Sequence, residues 1–167
     1  MKNPIQELML YALDPGISKN IKVADAGTLI QDKTILLSSK RKVLIKELVK
    51  NGPLLLTFIR GTWCPFCRLH MQRLRDWAGK LEGRNGSIIV LSSEPISEIN
   101  QWLESNPVPY MFASDEGSEL ADYFGVRVKP NKFFQAATFI IDSDLTVRLA
   151  YTGKRTKALF KTLNDEF

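Results

Sequence analysis

The pattern of the chain predicts an α/β fold in which helices flank a mixed central sheet. Three observations carry that expectation. The continuous apolar runs Leu54-Leu55-Leu56-Thr57-Phe58-Ile59 and Ser87-Ile88-Ile89-Val90-Leu91-Ser92 lie between turn residues, the mark of strands covered on both faces. Segments with apolar residues at helical spacing follow each of them, so strand and helix alternate. Near the C-terminus, Ala137-Thr138-Phe139-Ile140-Ile141-Asp142 and Val147-Arg148-Leu149-Ala150-Tyr151 flank the turn Ser143-Asp144-Leu145, a spacing that suits an antiparallel hairpin.

The other elements follow in chain order. Residues 1–22 read as an N-terminal extension packed on a single domain spanning 23–167, with a Pro15-Gly16 turn after Leu8-Met9-Leu10-Tyr11-Ala12-Leu13. Val23 to Ser39 reads as a short hairpin or pair of strands. Val43 to Val49 has helical spacing, and Asn51-Gly52-Pro53 ends it. A helix from Pro65 to Leu81 is indicated by Met71, Leu74, Trp77, Ala78 and Leu81 on one stripe, with Gly83 and Asn85-Gly86 as its stop. Pro95 to Leu103 carries Ile96, Ile99 and Leu103 along one helical face. Val108 to Ala113 reads as a short strand, Ser118 to Phe124 as a helix closed by Gly125, and Thr156 to Phe167 as a final helix. The sequence contains neither an internal repeat nor a low-complexity segment.

Composition narrows the class. The chain has 167 residues, enough for one domain with a sizeable core, and its 44% hydrophobic and 25% charged residues are those of a globular protein. No stretch approaches the roughly 18 consecutive apolar residues of a membrane span. Met1-Lys2-Asn3-Pro4-Ile5-Gln6-Glu7 lacks the apolar core of a signal peptide, so the expected location is cytoplasmic, with no membrane partner. The net charge of +5 favours acidic partners only weakly. The clusters Lys40-Arg41-Lys42 and Lys154-Arg155 lack interleaved aromatics, so they read as solvated surface and no nucleic-acid partner is expected.

The chain has two cysteines, Cys64 and Cys67, in Trp63-Cys64-Pro65-Phe66-Cys67, between a buried strand and an amphipathic helix. In that context a Cys-x-x-Cys pair reads as redox-active. Cys64 falls at the expected N-cap and Pro65 at the first helical position, where a missing N–H is harmless and the fixed φ suits the first turn. The sulfur of Cys64 would then face unpaired N–H groups and the positive end of the helix, which favour thiolate over thiol. Arg60 and Arg68 nearby add to a lowered pKa. Cys64 is therefore the expected nucleophile, open to solvent. Cys67, one turn later and shielded, is the expected resolving thiol.

Blander readings compete at each of these residues. A structural zinc ion needs about four ligands, whereas two Cys and one His are present, so no metal and no cofactor is expected. The cysteines could be two inert buried thiols. His70, three residues after Cys67, is either a proton donor or acceptor on the cysteine side of the helix or a partly exposed packing residue. Trp63 either shields the sulfur and contacts substrate or simply covers the sheet edge.

The stretch Phe58-Ile59-Arg60-Gly61-Thr62-Trp63-Cys64-Pro65-Phe66-Cys67 resembles the active-site segment of the thioredoxin superfamily. It is most similar to the peroxiredoxin-like branch, the alkyl hydroperoxide reductase and thiol-specific antioxidant family, with its Arg-Gly-x-Trp-Cys-Pro-x-Cys pattern. Ala137-Thr138-Phe139-Ile140-Ile141-Asp142 resembles that superfamily's strand after the substrate loop. The resemblance covers roughly residues 23–163. It implies a thioredoxin-like fold and thiol redox activity through Cys64 and Cys67, with Trp63, Pro65, Ala136 and Ala137 at the substrate-binding positions.

Three positions depart from the pattern. Gly61 and Thr57 stand where peroxiredoxins carry Thr or Ser three residues, and Pro seven residues, before the reactive cysteine. Ala136-Ala137 occupies the place of the superfamily's cis-proline. The strand before the motif also lacks the buried carboxylate of many thioredoxins, which leaves Glu94 as the nearest candidate proton acceptor.

The leading expectation is dithiol–disulfide exchange, in which Cys64 attacks a substrate disulfide and Cys67 displaces the product. The alternative is a peroxidase in which Cys64 becomes a sulfenic acid, Cys67 resolves it and an external thiol reductant restores the pair. A second alternative is a redox-inactive binding module. The substrate is accordingly a disulfide-containing protein or a hydroperoxide, and the oligomeric state is left open.

Overall fold

The computed structural model describes residues 24–80, 85–128, 134–153 and 157–166. The proposed extension over residues 1–22 lies outside them. Among the described residues seven strands form one sheet: β1 (Thr34–Leu37), β2 (Lys42–Leu44), β3 (Leu54–Phe58), β4 (Ser87–Ser92), β5 (Met111–Ser114), β6 (Ala137–Ile141) and β7 (Val147–Thr152). Their spatial order is β2-β1-β5-β4-β3-β6-β7. Strands β3, β4 and β5 run parallel, and the remaining pairings are antiparallel, so the sheet is mixed as the sequence predicts. The fold is thioredoxin-like.

Among the described residues five helices flank the sheet: α1 (Ile45–Leu48), α2 (Pro65–Ala78), α3 (Ile96–Ser105), α4 (Glu119–Phe124) and α5 (Lys157–Glu166). Strand β3 is buried at every position because both its faces are covered. Its residues alternate between two cores. Leu54, Leu56 and Phe58 join Phe139 of β6 and Leu120 and Phe124 of α4 on one face. Leu55, with Ile59 just past the strand, joins Ile140 of β6, Met71 and Leu74 of α2, and Leu159 and Leu163 of α5 on the other. Both cysteines belong to this second core.

The differences from expectation are local. In the segment expected to hold two strands before Ser39 there is one, β1, and its partner β2 comes from the segment expected to be helical. Val43 and Ile45 are buried while Lys42 and Leu44 are exposed, a two-residue alternation that suits a strand edge, and only α1 remains helical. Helix α2 ends at Ala78, ahead of the expected Leu81, with Gly79 at its C-cap. Strand β5 begins at Met111, after Pro109, which has no N–H to give a ladder. Helix α4 ends as expected, with Gly125 at φ 72°, left-handed backbone that glycine adopts without strain.

Candidate functional site

Cys64 is the N-cap of α2, in extended backbone, and Pro65 is the first helical residue, as the sequence predicts. The preceding turn is closed by the Cys64 N–H donating to Gly61 O at 3.2 Å. The Cys64 sulfur interacts with the Cys67 thiol and with the backbone N–H groups of Cys67 and Phe66. The Arg60 N–H donates to Cys67 Sγ at 3.4 Å. Neither cysteine is joined in a disulfide.

Two expectations about Cys64 are corrected here. It is 1% exposed, against 2% for Cys67, so the sulfur at the helix start is no more open than its partner. Its thiol is also raised, not lowered. The hydrogen bond with Cys67 is the largest cause, burial adds to it, and a charge on Cys67 adds further, while the N–H groups of Cys67 and Phe66 pull the other way. Two thiols in contact titrate as a pair, so once one negative charge has formed the second proton is held tightly. Arg68, expected beside the sulfur, donates its Nε–H to Thr62 O at 2.6 Å.

Glu94, at the end of β4, accepts from no thiol. Its carboxylate accepts from the Thr62 N–H at 2.9 Å, the Thr62 hydroxyl at 2.7 Å and the Ser92 hydroxyl at 2.8 Å. His70 is 1% exposed, which removes the reading as a partly exposed flank residue. Its Nε2 lies 3.0 Å from Thr57 Oγ1, and Thr57 Oγ1 lies 2.9 Å from Thr138 Oγ1 and donates to Ala137 O at 3.3 Å. On its outer side the ring meets Phe160 of α5, centroids 5.8 Å apart.

Trp63 is half-buried and lies on Gly61, where an added Cβ would run into the indole Nε1 and Cδ1. Pro65 is exposed beside the cysteines. Ala136 and Ala137 are buried. Ala137 pairs with Phe58 and Thr152, and its side chain joins the core on the face opposite the cysteines, so only its backbone faces Thr57. The Ala136 carbonyl accepts from the Gly153 N–H at 3.0 Å. Sequence reasoning missed the Thr57–Thr138–His70 chain. The signal was a single hydroxyl in each of two otherwise apolar strands, since a buried hydroxyl demands a partner.

The two sulfurs thus lie together at the start of one helix, the placement a redox pair requires. The model of the AhpC/TSA family matches residues 26–150. The chain belongs to the AhpC/TSA family. As a member it is a thiol-dependent oxidoreductase. No curated protein matches it in sequence. Among solved structures it is similar to the peroxidoxin BcpB of Mycobacterium tuberculosis, at 22% identity and TM-score 0.76, over 85% of this chain and 97% of that one. It is also similar to a cysteine-to-serine mutant of Xylella fastidiosa PrxQ, at 14% identity and TM-score 0.77, over 86% and 96% of the two chains. The Enterococcus faecalis AhpC shares 13% identity at TM-score 0.76, over 86% of this chain and 93% of that one. At these identities the likeness is one of fold. Among the described residues of this AhpC/TSA member no cluster of three His, Cys, Asp or Glu could hold a metal, and no helix is long and apolar enough to cross a membrane.

Proposed function

We propose that the chain is a thiol peroxidase that uses Cys64 as the reacting sulfur and Cys67 as the resolving one. The Cys64 thiol gives up its proton as its sulfur attacks the outer oxygen of a hydroperoxide, the O–O bond breaks, and that proton leaves on the alcohol or water. Cys64 is then a sulfenic acid, and the Cys67 thiol displaces water to close a Cys64–Cys67 disulfide. An external thiol reductant returns both sulfurs to thiols. The cytoplasm, where such reductants are maintained, is the compartment this reading calls for.

One observation carries the choice of substrate. Cys64 is 1% exposed and its sulfur interacts with that of Cys67, an arrangement that suits a small oxidant better than the disulfide of a folded protein. Trp63 and Pro65 would border the path of the hydroperoxide, Ala136 would line its inner side, and Ala137 would contribute backbone alone. Family membership supports the same reading.

Dithiol–disulfide exchange is the second reading, favoured by the contact between the two thiols, which suits rapid closure after attack on a disulfide. A paired assay separates them: hydroperoxide consumption with dithiothreitol, and reduction of a model protein disulfide, each with Cys64→Ser as control. The peroxidase reading requires the first activity to dominate and to vanish with Cys64→Ser. Disulfide reduction without hydroperoxide consumption would overturn it.

A further inference from the structure

Glu94 is 8% exposed, and taking a carboxylate out of water is unfavourable unless donors compensate it. Here the compensating donors belong largely to one residue of the turn before Cys64. The Thr62 N–H binds Oε2 and the Thr62 hydroxyl binds Oε1, while the Thr62 carbonyl accepts from Arg68 of α2. Both peptide groups flanking Thr62 are thus tied, one to the end of β4 and the other to the helix. Glu94 itself is anchored from two strands: Ser92 donates to its carboxylate, and the Ser114 hydroxyl at the end of β5 donates to its carbonyl at 2.7 Å. The turn leads directly into the N-cap, because the Cys64 N–H closes it on Gly61 O.

We propose that Glu94 is a positioning residue for the redox pair: by holding Thr62 through both amide and hydroxyl, it fixes the turn before α2 and keeps Cys64 in register with Cys67. The inference deepens the reading above and rests on its reacting pair. A fixed turn raises the effective concentration of one sulfur at the other, so it favours the disulfide over the dithiol. Gln at position 94 keeps the arrangement: its oxygen can accept from the Thr62 N–H and Ser92, and the Thr62 hydroxyl can rotate to accept from its amide. Ala removes every one of these bonds.

The test is the equilibrium of the pair with glutathione, in which the protein disulfide and two glutathione thiols exchange with the protein dithiol and glutathione disulfide. Glu94→Ala is expected to move the equilibrium constant toward the dithiol by about tenfold or more, and Glu94→Gln to stay within about threefold of the parent. Thr62→Val, which keeps the amide bond and loses the hydroxyl, shifts it in the same direction by less and serves if Glu94→Ala does not fold. An unchanged constant in Glu94→Ala, or in Thr62→Val where the Ala variant does not fold, or a Gln variant displaced as far as Ala, would overturn the proposal. The equilibrium is read without hydroperoxide, so a parent protein that fails to consume hydroperoxide overturns the peroxidase reading and leaves the role of Glu94 decided by this measurement.

Discussion

Thr57 Oγ1 lies 3.0 Å from His70 Nε2, joining the central strand β3 to the helix that carries both cysteines. The same hydroxyl lies 2.9 Å from Thr138 Oγ1 and donates to Ala137 O at 3.3 Å. Three residues further along, the Arg60 N–H meets Cys67 Sγ. Successive turns of α2 are therefore braced from below by buried polar bonds at Cys67 and His70.

Thr57→Val keeps the shape of the side chain and removes the hydroxyl, leaving His70 Nε2 and Thr138 Oγ1 to find other partners in a dry core. The expected loss of folding stability is about 1–3 kcal/mol, the range for stranding a buried polar group. Urea unfolding at neutral pH measures it. A midpoint equal to that of the parent would show that the chain of hydroxyls holds nothing in place.

Gly61 is needed for contact, not for backbone freedom. An added Cβ would enter the Trp63 indole, so Gly61→Ala forces the ring off the turn. Exposure of the indole should shift tryptophan emission to the red, and alkylation of the thiols should quicken by about tenfold as their cover opens. An unshifted emission with an unchanged alkylation rate would mean that the indole does not cover the pair.

Much of this was legible in the sequence, and the exceptions have physical reasons. The strands β3 and β4 were readable because uninterrupted apolar runs have few other uses, and Cys64 and Pro65 at the head of α2 because proline marks a first helical turn. The β2 strand was not, since Val43, Leu44 and Ile45 satisfy both helical and alternating spacing until the β1 partner decides between them. Ala137 was assigned to the substrate side, but strand parity sends its methyl to the far core. The direction of the Cys64 shift was also misread. Helix position predicts a lowered value, and only coordinates reveal that the second sulfur and burial outweigh the N–H groups. Glu94 was visible as a candidate proton acceptor after β4, yet its partner Thr62 lies 32 positions away in sequence, a pairing that only the parallel β3–β4 register brings together.

Asp115 gives the fold a pH dependence of known sign. Burial raises its carboxyl above the ordinary 3.8, opposed by the N–H groups of Ala121, Leu120 and Glu119 and aided by the Glu119 charge. The folded state therefore binds this proton more tightly than the unfolded chain. Its contribution to stability is fully present below 3.8 and is lost as pH rises through the raised value. The stability of Asp115→Asn relative to the parent should accordingly rise with pH across the window above 3.8. Parallel urea midpoints over that window check it, and a relative stability that falls with rising pH would mean that the N–H groups win over burial.

The assignment of the reacting sulfur is tested most directly by mass spectrometry of Cys67→Ser exposed to stoichiometric hydroperoxide in the presence of dimedone. The resolving thiol is absent, so the sulfenic acid should persist long enough to be captured, and the adduct should map to Cys64. The parent, treated alike, should instead lose two hydrogens and form the Cys64–Cys67 disulfide without adduct. An adduct on Cys67 in the Cys64→Ser variant with none on Cys64 in Cys67→Ser, or no hydroperoxide-dependent change in either the parent or Cys67→Ser, would contradict Cys64 as the sulfur that attacks the hydroperoxide.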